Sequence, residues 1–330
     1  MKKIFVPFIL LLVLITFSCS PKTVQKTVTE PISTVPTEKS LLWKIDGKDL
    51  TQPSYLYGTI HMINKDDFFL TDSTITTFDR MEQVVFEINM EEMSDMSAMM
   101  GMIGKIMMDD GTTLKDLLNE DDYKMVSDHF SGLGLPMMML ERIKPMFLSA
   151  MVGGDFDFTS PSTGGGMGEN IKSYEVEFME MAAADEKKIN GLETIEYQMS
   201  VFDSIPYTDQ AAMLVTSIRG GGEEGEDELS KMTEIYKQQD IAGMQQMFKS
   251  DVNGIGKFED IFLKNRNQNW IPIIAKMAKE QPTFFAVGAG HLGGEFGVIR
   301  LLRKAGYTVT PVMSSPLKTL PIKKRKATRM

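Results

Sequence analysis

Apolar positions fall in short strand-like runs toward the two ends of the chain and at helical spacing through its middle. Leu42, Trp43 and Ile45 precede Asp46-Gly47, a hairpin turn signal, and Ser54 to Ile60 then reads as a strand. A helix over Ser73 to Met81 leads into a second apolar strand, Gln83 to Ile88. The spacing predicts helices over Thr113 to Leu118, Asp121 to Phe130 and Met137 to Val152, parted by turns such as Gly132 to Pro136. Ser173 to Ala184 is a further helix and Lys188 to Leu192 a short strand, with helix resuming from Glu196. Helices over Leu229 to Gln238, Ile241 to Phe248 and Phe258 to Met277 follow, the last with a kink expected at Pro272. A strand over Thr283 to Val287, a helix over Gly297 to Lys304 and a strand over Thr308 to Val312 close the pattern. Strands at both ends with helices between them imply an α/β or α+β domain, its sheet built from N- and C-terminal strands around a large helical insertion.

Two departures from this rhythm need an explanation. Met90, Met93, Met96, Met99, Met100, Met102, Met107 and Met108 fall largely at helical spacings that would gather them on one apolar face, which reads as adaptable core packing rather than a ligand set. Gly164 to Gly166 and the acidic stretch Gly220 to Glu228 read as loops. The second follows no strand and precedes no Lys-Ser/Thr pair, so it is not a phosphate-binding loop.

The first residues follow different rules. Lys2 and Lys3 precede an apolar run from Ile4 to Ile15 and then Ser18-Cys19, the layout of a signal peptide whose cysteine is an acylation point. The run is shorter than the roughly 20 residues a membrane-spanning helix needs. Residues 20–40, rich in Ser, Thr, Pro, Lys and Glu, read as a disordered tether from a membrane to a domain over 41–312. A basic tail, 313–330, ends the chain. Cys19 is the one cysteine, so the domain must be held by its core rather than by disulfides, and 42% hydrophobic residues over 330 positions suffice for that. The net charge of −10 becomes −12 without Lys2 and Lys3, which argues against nucleic acid as a partner. The expected setting is a bacterial cell envelope, with the chain lipid-anchored in an outer membrane or facing the periplasm.

Histidine is scarce: His61, His129 and His291 are the three in the chain. His129, near the end of a polar helix, suits a structural role at the helix C-terminus. The other two share a context, in Gly58-Thr59-Ile60-His61 and Gly288-Ala289-Gly290-His291, each three residues after a glycine at the end of an expected strand. Small residues there let the backbone turn while the ring projects into a crevice. Glu87 ends a third apolar strand. Two imidazoles and one carboxylate can ligate a divalent cation and leave positions open to water.

Leu42-Trp43-Lys44-Ile45 followed by Ser54 to His61 resembles the opening of the TraB/PrgY/GumN family, which includes the Tiki-like metal-dependent proteases. Gly191-Leu192-Glu193-Thr194 with Glu196 and Gln198, Asn265-Arg266-Asn267, and Phe285 to Gly294 resemble its later motifs in order. The resemblance implies metal-dependent peptide hydrolysis, with His61, His291 and Glu87 holding a divalent ion (Mn, Co or Zn) and Glu87 alternatively orienting water. Arg266 matches a characteristic arginine of the family; in such a hydrolase it would stabilise an oxyanion or position a substrate carboxylate, the plain alternative being an ordinary ion pair with Glu193 or Glu87. Glu193 is then a supporting carboxylate or a plain surface charge. Two other readings use the same crevice: a lipoprotein that binds peptides without cleaving them, and one that carries haem or metal.

Overall fold

The computed structural model describes residues 35–89, 104–152, 170–220, 223–250 and 254–314. The Met90 to Met108 stripe up to residue 103, the Gly164 to Gly166 loop, Cys19 with the expected signal peptide, most of the tether and nearly all of the basic tail lie outside them.

A six-stranded sheet organises the domain: β1 (Leu42–Asp46), β2 (Ser54–Thr59), β4 (Gln83–Phe86), β6 (Lys188–Gly191), β7 (Thr283–Gly288) and β8 (Thr308–Pro311), in the order β6-β4-β7-β2-β1-β8. N- and C-terminal strands therefore interleave, as the end-weighted pattern implied. β6, β4, β7 and β2 run parallel, with Thr59 level with Gly288 and Phe86 level with Gly191, while β1 is antiparallel to both neighbours. The central strands β4 and β7 are buried on both faces, which explains continuous apolar runs such as Val84–Phe86 and Phe284–Val287 in place of alternation. A second, two-stranded sheet pairs β3 (Ile63–Asn64) with β5 (Ile171–Lys172).

Helix α1 (Asp72–Arg80) starts where Thr71 accepts a bond from the backbone of Thr74. The insertion contains α2 (Leu114–Leu117), α3 (Glu120–Gly132), α4 (Met137–Leu140) and α5 (Pro145–Val152). These pack with α8 (Tyr207–Arg219) around their own small core of Leu114, Val126, Phe130, Leu148 and Leu214, separate from the core that surrounds the sheet. The remaining helices are α6 (Tyr174–Ala184), α7 (Ile195–Asp203), α9 (Glu223–Lys237), α10 (Ile241–Lys249), α11 (Asn265–Glu280) and α12 (Val298–Lys304). Among the described residues no helix is long and apolar enough to cross a membrane.

Three expectations are corrected. The helix over Met137 to Val152 is two helices, because Pro145 lacks the N–H a continuous helix needs there and instead opens the second. The acidic loop ends early: α9 already begins at Glu223, and a run of acidic residues suits a helix N-terminus. The stretch from Phe258 is not one α-helix. A 3-10 turn (Ile255–Phe258) and a π-helical turn (Asp260–Lys264) precede α11, which contains Pro272 within its span. The π turn adds a residue immediately ahead of Arg266, and such turns gather at functional sites.

Candidate active site

The four parallel strands β2, β7, β4 and β6 all deliver their carboxyl ends to one edge of the sheet, where open α/β sheets hold their ligands. His61 follows β2, Glu87 follows β4, Glu193 follows β6, and Gly288-Ala289-Gly290-His291 leaves β7 through a 3-10 turn. Helix α11 crosses above this edge and inserts Arg266, Asn267 and Trp270 from its first two turns.

Arg266 is the hub. Its Nη2 lies 2.6 Å from Glu87 Oε2 and 2.6 Å from Glu193 Oε1, and its Nε lies 2.9 Å from Glu193 Oε1. Nη1 donates to the Phe262 carbonyl at 3.1 Å and faces His291 Nε2 at 3.2 Å. All five guanidinium N–H groups are thereby engaged, and the side chain is 7% exposed, so Arg266 acts here as a buried ion pair with both glutamates. Trp270 packs over the guanidinium, lies 4.5 Å from the His291 ring, and donates its indole N–H to Glu193 Oε2 at 2.9 Å. Glu193 is therefore an interior group, not a surface charge.

Burial works to raise the Glu87 pKa, but the charge of Arg266 above all, with the Gly288 N–H at 2.8 Å, holds it well below the usual carboxylate range. Glu193, sharing the same guanidinium, is pushed up by burial against the pull of Arg266 and Trp270. Burial pushes His291 down to about 3, so its ring is neutral.

The two Gly-x-x-His histidines are unequal. His291 is 6% exposed at the side chain and His61 72%. His291 Nδ1 lies 2.6 Å from Asn267 Oδ1, and His61 Nδ1 lies 3.1 Å from Glu175 Oε1 on α6. When protonated, His61 acts on both Glu87 and His291, which puts it within electrostatic reach of them. The glycines of the motifs serve close approach rather than a left-handed turn, since neither has a positive φ. A Cβ on Gly58 would meet Leu292 and Ala289 at 3.0 to 3.2 Å, and one on Gly288 would meet Glu87 Oε1 at 3.2 Å. His129 lies apart, on α3, with burial lowering its pKa.

Residues 41–311 match the profile of the TraB/PrgY/gumN family. The chain belongs to that family. Two curated relatives from Danio rerio are similar at lower identity. "Metalloprotease TIKI1" is 23% identical over 317 residues, covering 82% of this chain and 62% of the relative. "Metalloprotease TIKI2" is 22% identical over 323 residues, covering 82% of this chain and 60% of the relative. The chain thus spans about three-fifths of the length of these relatives. No solved structure matches.

A divalent ion is what the relatives' names suggest, and this TraB/PrgY/gumN site can be tested against it. Among the described residues no three His, Cys, Asp or Glu side chains are gathered as a ready ligand cluster. Two donors are nevertheless well placed: His291 Nε2, unprotonated because Nδ1–H is given to Asn267, lies 3.6 Å from Glu87 Oε1. Ligands about 2.0–2.1 Å from a tetrahedral ion are roughly 3.3 Å apart, so this pair fits one edge of such a site. Charge favours it too. Glu87 and Glu193 share the single guanidinium of Arg266, and Glu175 pairs with His61 rather than with a Lys or Arg, leaving negative charge that a cation would offset. Arg266 Nη1, against the same Nε2, is the group an ion would have to displace.

Asn267, Trp270 and Glu175 were not singled out by the sequence. Asn267 stood beside Arg266 in the Asn265-Arg266-Asn267 motif, and Trp270 lies one turn beyond it, so the first turns of α11 were the available signal.

Proposed function

We propose that this chain is a metal-dependent peptide hydrolase. The observation that carries the reading is the parallel pairing of β2 with β7, Thr59 level with Gly288, which sets the two Gly-x-x-His motifs side by side next to Glu87. Glu87 and His291 would hold the ion, with His61 as the third candidate donor at the open side. A bound divalent ion lowers the pKa of its water and polarises a carbonyl. The chain's own residues do the rest. Arg266 keeps Glu87 ionised and aligned through the 2.6 Å bond, while Glu193 and Trp270 fix the guanidinium from behind. Burial keeps His291 neutral, and Asn267 holds its Nε2 lone pair turned into the site.

The same reading places the protein at the bacterial cell envelope, acylated at Cys19 and acting on a peptide or protein substrate. Its support is the Lys2-Lys3 start, the apolar run to Ile15 and the Ser18-Cys19 junction. Labelled fatty acid is expected to enter the full chain and not Cys19→Ala; label retained in that variant overturns the anchor.

The decisive experiment is turnover of a fluorogenic peptide library with added Mn²⁺, Co²⁺ or Zn²⁺ against chelator, for the parent and for His61→Ala, Glu87→Gln and His291→Ala. Metal-dependent cleavage lost in all three variants is the expected result. Peptide binding without cleavage under any metal, in a folded sample, overturns hydrolysis in favour of sequestration, and a purified protein carrying a haem absorption band overturns it in favour of a carrier.

A further inference from the structure

Glu175 is a carboxylate with an unusual set of partners. It stands in the first turn of α6, its side chain 19% exposed. The helix cap is supplied by Ser173, whose Oγ accepts from the Val176 N–H, so Glu175 is not needed there. Instead its carboxylate turns to β2. Oε1 accepts from Thr59 Oγ1 at 2.6 Å and faces His61 Nδ1 at 3.1 Å, while Oε2 accepts from Ser173 Oγ at 2.7 Å. Among the described residues the ion-pair partner of Glu175 is His61. Burying a carboxylate without Lys or Arg is costly, and three converging hydrogen bonds make it tolerable only in this orientation.

The fold brings the two together by a dedicated device. β3 begins two residues after His61 and β5 ends one residue before Ser173, and their pairing, Ile63 with Lys172 and Asn64 with Ile171, ties the histidine turn to the start of α6. Thr59 adds a clamp, since it ends β2 in register with Gly288 and bonds Glu175 with its hydroxyl.

We propose that Glu175 is a positioning residue for His61: it accepts the Nδ1 proton, fixes that tautomer and leaves the lone pair on Nε2. The site then holds both histidines in the same tautomer by different means, a carboxylate for the exposed ring and the amide of Asn267 for the buried one. A carboxylate behind an imidazole is the arrangement that orients metal-ligating histidines. The consequence for metal binding rests on the hydrolytic reading above; the tautomer does not.

The test separates them. With three histidines in the chain, ring nitrogens can be assigned by long-range proton–nitrogen NMR of the full protein above the ordinary histidine titration range, using His129→Gln and His291→Gln. His61 is expected with its proton on Nδ1, to keep it in Glu175→Gln, whose amide oxygen still accepts, and to shift toward the Nε2–H form in Glu175→Ala. A parent His61 protonated on Nε2, or an unchanged pattern in folded Glu175→Ala, overturns the proposal. Calorimetric titration with Zn²⁺ or Mn²⁺ alone supplies the second readout. Glu175→Ala is expected to bind the ion about 10- to 100-fold more weakly, and to add no further loss when introduced into His61→Ala. Additive losses would make Glu175 merely structural and overturn its positioning role. Failure of the parent to bind any ion, with the Nδ1 tautomer intact, sinks the metal reading and leaves the positioning of His61 standing.

Discussion

Asn267 presents its side-chain oxygen to His291 Nδ1 at 2.6 Å while its amide N–H groups donate to the carbonyls of His291, at 3.2 Å, and Phe296, at 2.9 Å. Because the nitrogen is committed to two carbonyls, the oxygen must accept, and Nδ1 must carry the proton. One buried side chain on α11 therefore sets both the tautomer of His291 and the path of the turn that bears it.

Replacing that amide should be felt twice. Asn267→Ala strips partners from the ring N–H, the buried His291 carbonyl and the partly buried Phe296 carbonyl, and a stability loss of about 1–3 kcal/mol is expected from denaturant titration. Turnover should fall about 10- to 100-fold, the usual cost of losing a group that orients a ligating histidine. Stability and turnover both at parent levels would remove Asn267 from the site.

Arg266 serves two carboxylates, so its loss leaves both buried and unpaired. Arg266→Ala is expected to destabilise the fold by about 3–5 kcal/mol near neutral pH. For Glu87 the sign with pH is opposite to the parent's, while for Glu193, already raised in the parent, it is strengthened. Without the guanidinium, Glu87 and Glu193 would titrate above their unfolded values, so the folded state takes up protons first and the deficit shrinks as pH falls toward 5. Denaturation midpoints at pH 7.5 and 5 check this, and a deficit that widens in acid would show that the glutamates do not depend on Arg266.

The strand ends were readable from the chain because three of the site's groups sit just past apolar runs, His61, Glu87 and the Gly288 to His291 turn, and Glu193 stands just past the short strand β6. A repeated Gly-x-x-His needs no knowledge of the fold to be noticed. The helix-borne partners were not readable in this way. Asn267, Trp270 and Glu175 look like ordinary helix residues, and only the crossing of α11 over the sheet edge and the β3–β5 pairing give them their roles. Local chemistry likewise hid the break at Pro145 within a continuous apolar pattern, and the reason for Gly58 and Gly288, which is steric contact across strands rather than turn geometry.

His291 makes the parent acid-sensitive. Burial, outweighing the attraction of Glu87, pushes its pKa down to about 3, whereas an unfolded histidine titrates near 6.5. Below the unfolded value the unfolded chain binds a proton that the folded chain refuses, so stability falls by about 1.4 kcal/mol per pH unit from this group. Glu87, also depressed in the fold, contributes stability above its unfolded value of 4.5 and loses it below. Between pH 6 and 5 the histidine acts nearly alone among the two. His291→Gln should flatten the dependence of stability on pH there by about one proton, and an unchanged slope would mean that the native ring is already charged.

Gly58 and Gly290 offer a controlled test of why the motif is small. A Cβ at Gly58 would stand 3.0 Å from Leu292 Cδ2 and 3.2 Å from the Cα and Cβ of Ala289, whereas one at Gly290 would meet nothing within 4 Å. Gly58→Ala must therefore push β2 away from the turn that carries His291, at an overpacking cost of about 1–3 kcal/mol. Gly290→Ala should stay within about 0.5 kcal/mol of the parent. Because the displaced contact joins the two histidine motifs, turnover should drop in Gly58→Ala and not in Gly290→Ala. Removing the opposing methyl with Ala289→Gly should recover part of the loss only in the Gly58→Ala background. Equal behaviour of the two glycine variants, or no recovery in the double variant, would separate the spacing of β2 and β7 from the chemistry at their ends.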